Sequence, residues 1–440
     1  MSIDPGQVRS ALDILGPGTA LDLSQERTGL LRYAGSRVTA QHSEERLRVR
    51  VRLQGKGKVA SGTLETLDPA AVGALSTQLR SALNQLPGPT GEPDQAGSAP
   101  YAAPVVPEVG KATLTAGPAE RYAWFSAVRD GLGDSAHLGG SIRHDVVHRV
   151  VADHTGLYRD ETLTKASLQA IAEGDGRSAS VRRVHRDAAQ IGVDDVPDRL
   201  LADLTPLASC EPVSGTCRIL LRPQAVITLL ATYGYAALGA AGYAQGRTAV
   251  SGRLGDQVTS ELLTLTDDGT DPQGLPSGFD PQGTPRRRTP LIERGVLAGV
   301  VSDRERSAVT GGLSTGHAVA AGWRFGADPS PTHLLLETGD TPEDELTSIC
   351  GDGLAISRLD YLRVLHPKDT LVTSMTRDAT YRVKSGKVVA WHPPVRLTFR
   401  MTDVLRAVVA VGRQRERGEA VFMESVVAPS LVIGAGAITL

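Results

Sequence analysis

The sequence predicts an α+β protein with an N-terminal α/β domain, in which helices flank an antiparallel sheet, and a C-terminal β-rich domain of barrel-like or sandwich type. Two observations support this prediction. At 440 residues the chain is too long for one ordinary core. Helix and strand signals alternate up to about residue 208, and short strands separated by Gly, Pro and Asp turns dominate afterwards. We therefore expect domains over residues 1–208 and 209–440.

The N-terminal elements follow from caps, turn residues and apolar periodicity. Asp68 followed by Pro69 predicts a helix start, because Pro is favoured at the first helical position. Residues 86–107 are rich in Pro and Gly and predict a surface excursion. The predicted helices are Pro5–Leu15, Pro69–Leu86, Gly117–Leu132 and Asp195–Ala208, and the predicted strands are Ala20–Gln41, Arg46–Leu64, Ser141–Val151, Gly156–Leu168 and Ala179–Val184.

Within Arg46–Leu64, aliphatic and arginine residues alternate from position 46 to position 53. Successive side chains of a strand point to opposite faces, so the pattern predicts a half-exposed strand with guanidinium groups on one face. A solvated face is the ordinary interpretation of these arginines, and phosphate binding is the alternative.

The C-terminal part begins with an uncharged segment, residues 223–246, which is about long enough to cross a bilayer. Gln, Thr, Tyr and Gly dilute its hydrophobicity, which favours a buried helix over a membrane span. The strands predicted after it are Leu262–Thr266, Leu291–Arg294, Val296–Val301, His333–Glu337, Ala355–Leu359, Thr380–Lys384, Val388–Ala390 and Val395–Met401.

Composition excludes several classes of protein. The formal net charge is −2, so no global basic field indicates nucleic acid or an anionic membrane as a partner. The three cysteines cannot form a disulfide framework and suit a reducing compartment. The N-terminus shows no basic segment followed by an apolar one, so we expect a cytoplasmic protein.

His144-Asp145-Val146-Val147-His148 superficially matches the zinc motif His-Glu-x-x-His. That motif needs a helix, which brings both histidines to one metal. The surrounding valines predict a strand instead, and on a strand the two histidines lie roughly 13 Å apart. We therefore predict no zinc site here.

Other residues with chemical potential have ordinary interpretations beside the functional ones. Cys210, Cys217 and Cys350 lack metal-site spacing, and buried thiols are expected. His317, in a Gly-flanked loop, either presents its ring to a cavity or is held by backbone carbonyls. The run Arg286–Arg288 is either solvated or meets an acidic partner. No phosphate-binding glycine loop occurs in a strand-turn-helix context, which disfavours a nucleotide enzyme.

Residues 278–318 read GFDPQGTPRRRTPLIERGVLAGVVSDRERSAVTGGLSTGHA. This segment, called the phrase loop below, resembles the pattern FDxEG…R…LIxxGxLxxxLxxxxxAxxxGxxSTGHA of the TldD/PmbA metallopeptidase family. TGLLRYAGSRVTAQ, VVADHTGLYRDETLTKASL and the closing APSLVIGAGAIT also resemble family segments, so the resemblance extends over most of the chain. It implies the TldD/PmbA fold.

The resemblance also implies what is missing. In the TldD branch, the helix after the ILLRPQA-type strand carries His-Glu-x-x-x-His, and a cysteine near the C-terminus completes a zinc site. Here the corresponding helix position is Ala231–Ala236, which reads ATYGYA, and MESVVAPSL near the end has no cysteine. The chain therefore resembles the TldE/PmbA-type subunit, which has no metal of its own.

The implied function is that of a non-catalytic subunit. A TldD-type partner would carry zinc and hydrolyse an extended peptide or amide held in a shared chamber, while this chain supplies chamber walls. By position in the family pattern, the resemblance implies Thr315, His317 and Trp323 as cavity-facing residues, with no catalytic residue and no cofactor in this chain. We expect a hetero-oligomer with the TldD-type subunit, and neither nucleic acid nor membrane as a partner.

Three alternatives stay open at this point. LVTSMTRDATYRVKSGKVV lacks the TGD phrase of many family members, so the substrate could be a specialised amide intermediate of antibiotic biosynthesis. A stand-alone binding or modulator protein is the second alternative. A metal-independent enzyme that uses Cys350 or His317 is the third.

Overall fold

The computed structural model describes residues 3–88, 103–205, 207–320, 328–420 and 423–440. Within these ranges the chain forms one six-stranded and one eleven-stranded sheet with helices packed on them. The α+β prediction is confirmed. The six-stranded sheet is built from residues 19–185 and the eleven-stranded sheet from residues 218–433, whereas the domain boundary at 208/209 stays a prediction.

The first sheet is antiparallel throughout, in the order β3-β2-β1-β4-β5-β6. Its strands are β1 (Thr19–Ala34), β2 (Arg37–Gly55), β3 (Lys58–Leu64), β4 (His137–Asp153), β5 (Tyr158–Gly174) and β6 (Arg177–His185). The helices of this part are α1 (Pro5–Leu15), α2 (Pro69–Gln85), α3 (Lys111–Thr115), α4 (Pro118–Leu132) and α5 (Val196–Asp203).

The predicted division of the first strands was wrong. Ala20–Gln41 and Arg46–Leu64 are not two strands but parts of three, because turns interrupt both segments. The central residues Gly35-Ser36 and Lys56-Gly57 all have positive φ, which is typical of two-residue hairpin turns whose twist matches that of the strands. The predicted helix Asp195–Ala208 is shorter than expected and ends at Asp203.

One face of the first sheet is apolar and is covered by helices. Leu21, Leu23, Val49 and Val51 are buried against α1 and α2, while α4 covers the other end of the same face. Side chains alternate along a strand, so the intervening polar residues must point to the opposite face. That polar face turns toward the second half of the chain.

The second sheet is mixed, in the order β10-β9-β8-β11-β17-β7-β12-β13-β14, with β15 beside β13 and β16 beside β17. Its strands are β7 (Arg218–Leu221), β8 (Leu265–Asp268), β9 (Arg288–Glu293), β10 (Val296–Leu297), β11 (His333–Leu336), β12 (Gly353–His366), β13 (Leu371–Lys384), β14 (Lys387–Trp391), β15 (Arg396–Arg400), β16 (Val408–Ala420) and β17 (Met423–Ile433). Its helices are α6 (Pro223–Ala237), α7 (Ala240–Ala244), α8 (Glu343–Cys350) and α9 (Met401–Arg406).

The β-rich character of the second half is confirmed, although the described strands form an open sheet rather than a closed barrel. Helix α6 packs against β12, β16 and β17, and α8 packs against the same sheet around a second apolar cluster. Both faces therefore bury apolar side chains. Strand β16 was not predicted, because its sequence VVAVGRQRERGEA has no apolar alternation after Val411.

Helix α6 is the buried helix that the uncharged segment predicted. Ten of its fifteen residues are buried, including Tyr233. Among the described residues, no helix is long and apolar enough to cross a membrane. The absence of charge in α6 is explained by its place inside the core of the second sheet.

Two buried tyrosines of this fold should respond oppositely to loss of the hydroxyl group. The Tyr233 hydroxyl is enclosed and has no hydrogen-bond partner among the residues that the structure describes, whereas the Tyr33 hydroxyl donates to the carbonyl of Gln169 at 2.7 Å. We expect Tyr33→Phe to lower the free energy of unfolding by about 1 kcal/mol and Tyr233→Phe to leave it unchanged or raise it. Urea denaturation of both variants checks this, and equal losses would contradict it.

Candidate functional site: a charged cleft between the two sheets

The polar face of the first sheet forms one wall of a cleft. Arg50 of β2 lies 3.0 Å from Asp22 of β1, and Arg149 of β4 lies 3.6 Å from the same carboxylate. Arg149 is also 3.5 Å from Glu161 of β5. Neighbouring strands thus supply alternating positive and negative charges. Carboxylates pair with the arginines of β2. These arginines therefore form neither a purely solvated face nor a phosphate site.

The phrase loop forms the opposite wall. Asp280 holds its two ends together: one carboxylate oxygen accepts the N–H groups of Gln282 and Thr284 at 2.9 Å, and the other accepts the N–H of Ala318 at 2.9 Å. The N–H of Gly278 donates to Glu161 at 2.7 Å. The loop is therefore tied to itself and to the first sheet.

A cavity of 540 Å³ lies between these walls. Its charged lining includes Asp22, Arg50 and Arg52 from the first sheet and residues 303–306 from the phrase loop. Arg52 forms an ion pair with Glu305 across the cleft. The cavity has the size of sites that hold small ligands, and its lining favours polar groups such as peptide amides.

Two further contacts fix the geometry of this cleft. The guanidinium of Arg149 donates to the carbonyl of Phe279 at 3.0 Å and lies 5.1 Å from the centre of its ring. Burial raises the pKa of Asp303 to about 6, although Arg306, at 2.6 Å, opposes this shift. Arg149 thus links the two halves of the chain, whereas the partner of Asp303 belongs to its own half.

Of the three predicted cavity residues, Thr315 and His317 lie beneath the loop surface and Trp323 lies outside the described residues. The His317 ring is fully buried, with Nε2 2.8 Å from Asp267 and Nδ1 2.9 Å from the hydroxyl of Thr315. Asp267 also accepts the N–H groups of Thr332 and His333 at 2.6 and 2.8 Å. In this chain the two residues thus anchor the loop to β8 and β11, and their cavity-facing role stays a prediction.

Electrostatics support this anchoring role. Burial alone would raise the pKa of Asp267, but His317 and the surrounding donors outweigh it and lower the pKa well below its usual range. Burial lowers the pKa of His333 to about 4, and Arg286 adds to this shift. His333 is therefore a neutral ring at neutral pH, and Asp267 is an ionised carboxylate beside it.

The run Arg286–Arg288 divides between two environments. Arg286 is buried and donates to the Gly316 carbonyl at 3.0 Å and to the Thr332 hydroxyl at 2.7 Å. Arg287 and Arg288 are exposed. The first arginine thus stabilises the loop from within, whereas at the surface Arg287 donates to the Ser314 carbonyl at 3.3 Å and Arg288 lies 3.6 Å from Glu337.

The residue types at the family's zinc position do not fit a metal. Ala231–Ala236 lie on α6, whose side chains there are methyl groups, a threonine hydroxyl and tyrosine rings rather than His, Glu or Cys. Within the part of the chain that the structure describes, no group of three or more His, Cys, Asp or Glu residues could hold a metal ion.

The other sequence candidates are structural. His144 and His148 lie on β4, as predicted, and His148 accepts the N–H of Ile3 at 3.0 Å. His144 stacks edge-on against Trp124, and burial lowers its pKa to about 4. Burial raises the pKa of Cys350 to about 11, so its thiol is protonated at neutral pH and is a poor nucleophile.

A segment that begins in the predicted excursion packs against the start of the phrase loop and against β5. Pro104 and Val105 pass directly over Gly278, where an added methyl group would lie 2.5 Å from the Val105 carbonyl. Farther along, the N–H of Gly110 donates to the Thr164 hydroxyl at 2.8 Å. We call residues 103–110 the strap. It covers Glu161, which is 4% exposed, and no sequence signal predicted this contact.

A family model, the PmbA/TldA metallopeptidase C-terminal domain, matches residues 214–439. The chain belongs to the PmbA/TldD family. An uncharacterized protein of Methanocaldococcus jannaschii is 28% identical over 209 residues, 47% of this chain and 50% of that protein. A metalloprotease of Archaeoglobus fulgidus is 25% identical over 275 residues, 60% of this chain and 62% of that protein. The chain thus spans less than two thirds of the length of either relative.

The fold is also that of a solved family structure. The crystal structure of TldE from Thermococcus kodakarensis has a TM-score of 0.85, covers 98% of this chain and 99% of its own, and is 15% identical. At that identity the likeness shows the fold alone. The TldD/PmbA fold implied by the sequence resemblance is thereby confirmed.

Sequence reasoning missed most of the cleft lining. Asp22 and Asp303 line the cavity but belong to separate halves of the chain, and no spacing between them in the sequence indicates that they face the same space. One signal was available in the sequence. The arginines on one face of β2 need negative charges on the neighbouring strand, and Asp22 and Glu26 lie on the same face of β1.

We expect the Asp267–His317 pair to hold the phrase loop in place. His317→Gln should lower the free energy of unfolding by about 3 kcal/mol, because it leaves a buried carboxylate without its partner. In an Asp267→Asn background the same change should cost about 1 kcal/mol or less. A double-mutant cycle by urea denaturation measures this coupling, and additive losses would contradict it.

The same pair predicts a pH dependence. The pKa of Asp267 is lowered in the folded state, so its contribution is present above the unfolded pKa of about 3.9 and is lost as pH falls through the folded value. Between pH 5 and pH 2 the wild-type chain should lose more stability than Asp267→Asn. Parallel curves for the two proteins would show that the carboxylate is not stabilised by folding.

Gly278→Ala should displace the strap, because the added methyl group meets backbone atoms rather than a movable side chain. We expect faster cleavage within residues 103–110 by a nonspecific protease under native conditions. Gly73→Ala is the control: Gly73 lies in α2, where the nearest atom is 3.9 Å away, and alanine should stabilise this helix. Unchanged cleavage in Gly278→Ala would show that the strap does not depend on this contact.

Proposed function

We propose that this chain is the metal-free, TldE-type subunit of a heteromeric TldD/TldE-type peptidase. Its role is to shape the chamber in which a TldD-type partner hydrolyses an extended peptide or amide. The observation that carries the proposal is the composition of α6: this family member has methyl groups and tyrosine rings where the resemblance places the zinc ligands of the TldD branch.

The cleft supports the proposal on physical grounds. Main-chain amides of an extended peptide need many hydrogen-bond partners but few specific pockets. Paired charges on both walls, such as Arg50 with Asp22 and Arg306 with Asp303, can exchange bonds with such amides while keeping the net charge of the wall near zero. Water activation would come from zinc bound to the partner.

The side chains of this subunit would act by binding and positioning only. The two groups that the metal-independent alternative would use are a protonated thiol, Cys350, and a fully buried ring, His317. A specialised amide intermediate in place of an ordinary peptide is the alternative substrate, favoured by the missing TGD phrase in residues 371–389. A stand-alone modulator is the alternative in which no catalytic partner exists.

The direct test is zinc content together with molecular mass in solution. The chain is purified alone and after co-expression with a TldD-type protein that has an intact His-Glu-x-x-x-His. We expect zinc only in a stable mixed complex, with one metal per TldD-type subunit. Stoichiometric zinc in the isolated chain, or failure of the two proteins to associate, would overturn the proposal.

A matched variant separates the partner's metal from the contribution of this chain. Arg52→Ala removes the ion pair with Glu305 across the cleft. In the complex we expect a higher KM for a peptide substrate with unchanged zinc content, because the variant alters the wall and not the metal site. Arg288→Ala is the control, since Arg288 is exposed on β9 and does not line the cavity.

A further inference from the structure

A second cavity of 240 Å³ lies farther along the cleft. Strands β1, β4 and β5 supply one side of it, and Leu275 and Glu424 of the second half supply the other. The charged residues that line it are Glu26, Arg143, Asp145, Lys165, Arg186 and Glu424. Three carboxylates and three cations thus face a space much smaller than the 540 Å³ cavity.

Four of these charged groups already have partners. Arg143 lies 2.8 Å from Asp145, and Lys165 lies 3.8 Å from Asp145 and 2.5 Å from Glu419. Glu26 accepts the Ser24 hydroxyl at 2.9 Å and lies 3.7 Å from Arg48. These groups neutralise one another and leave little net charge to attract a ligand.

The remaining two charged groups, Arg186 and Glu424, have no such partner among the described residues. Arg186 is 9% exposed, and its side chain forms no hydrogen bond or ion pair with any residue in the described ranges. The Glu424 carboxylate likewise has no partner within those ranges, and the two do not pair with each other. Burial lowers the pKa of Arg186 to about 10, which still leaves it cationic at neutral pH.

Glu424 is an anion under the same conditions. Desolvation of the carboxylate disfavours its charged form, but His333 and Arg286 outweigh this and lower the pKa of Glu424, whose side chain remains exposed to solvent. The Nε of Arg186, by contrast, is buried without an acceptor among the described residues, which is costly. A molecule that carries both charges a short distance apart would satisfy both groups at once.

We propose that this cavity binds a small zwitterion, a free α-amino acid or a dipeptide, with its carboxylate on Arg186 and its ammonium group on Glu424. A guanidinium presents a planar pair of donors that matches a carboxylate, and a carboxylate accepts well from an ammonium group. In longer peptides the two termini are too far apart for so small a space. Under the proposed function, this ligand is a product of hydrolysis held within the chamber.

The inference rests on the proposed function for its biological meaning, but binding is a property of the isolated chain. It is tested by isothermal titration calorimetry with L-alanine and L-alanyl-L-alanine. N-acetyl-L-alanine, which keeps only the carboxylate, and L-alaninamide, which keeps only the ammonium group, are the matched probes. Tetra-alanine separates a small zwitterion from a longer peptide.

We expect alanine or dialanine to bind at least about tenfold more tightly than the two single-charge probes and tetra-alanine, as the loss of one charge-assisted hydrogen bond implies. Arg186→Gln and Glu424→Gln should each weaken zwitterion binding by at least about tenfold. Equal affinity for N-acetyl-L-alanine and alanine would overturn the inference, as would the absence of binding by either zwitterion.

Two control variants come from the same cavity. Arg143→Gln and Glu26→Gln remove one cation and one anion that already have partners, and each should change zwitterion binding less than threefold. Arg186→Lys keeps the charge if the glutamine variant fails to fold, and it should retain part of the affinity. If neither zwitterion binds but zinc is found only in the mixed complex, the proposed function stands and this site does not. If a zwitterion binds but zinc is found in the isolated chain, this site stands and the proposed function does not.

Discussion

Three carboxylates, Glu161, Asp267 and Asp280, hold the phrase loop between the two sheets. Asp280 joins the ends of the loop, Asp267 ties it to the second sheet through His317, and Glu161 ties it to the first through the Gly278 N–H. Each is buried, and a buried carboxylate is tolerated only where donors surround it. The position of the loop, and with it the cleft, depends on these contacts.

The same constraint explains why the two halves do not close on each other. The first sheet buries one apolar face beneath helices, which leaves its other face with charges that cannot enter a dry interface. The second half of the chain places charged rather than apolar residues against this face, as the ion pair between Arg52 and Glu305 illustrates. Such surfaces leave room between them, and the two cavities occupy that room.

Much of the fold could be predicted because it depends on local pattern. The alternation around Val49 and Val51 identified a half-buried strand, and the uncharged segment identified the buried helix α6. The hairpin turns at Gly35-Ser36 and Lys56-Gly57 were missed, although the glycine in each pair is a turn signal that the sequence carries. Strand β16 was missed because its arginines and glutamates carry no periodic signal.

The site was predicted less completely, for a physical reason. The family resemblance named Thr315, His317 and Trp323, whose cavity-facing role stays a prediction, and it did not name Asp303 and its neighbours, which line the 540 Å³ cavity. Contacts such as that of Val105 with Gly278 join positions far apart in sequence. No single-sequence pattern encodes such pairs, because each member alone is an ordinary surface or turn residue.

The central claim is that metal chemistry belongs to a partner and not to this chain. X-ray diffraction at the zinc absorption edge, on crystals of the co-expressed complex, locates the metal directly. The account predicts one anomalous peak per mixed complex, within the TldD-type subunit and facing the cleft described here. A peak coordinated by residues of this chain, on α6 or elsewhere, would contradict it.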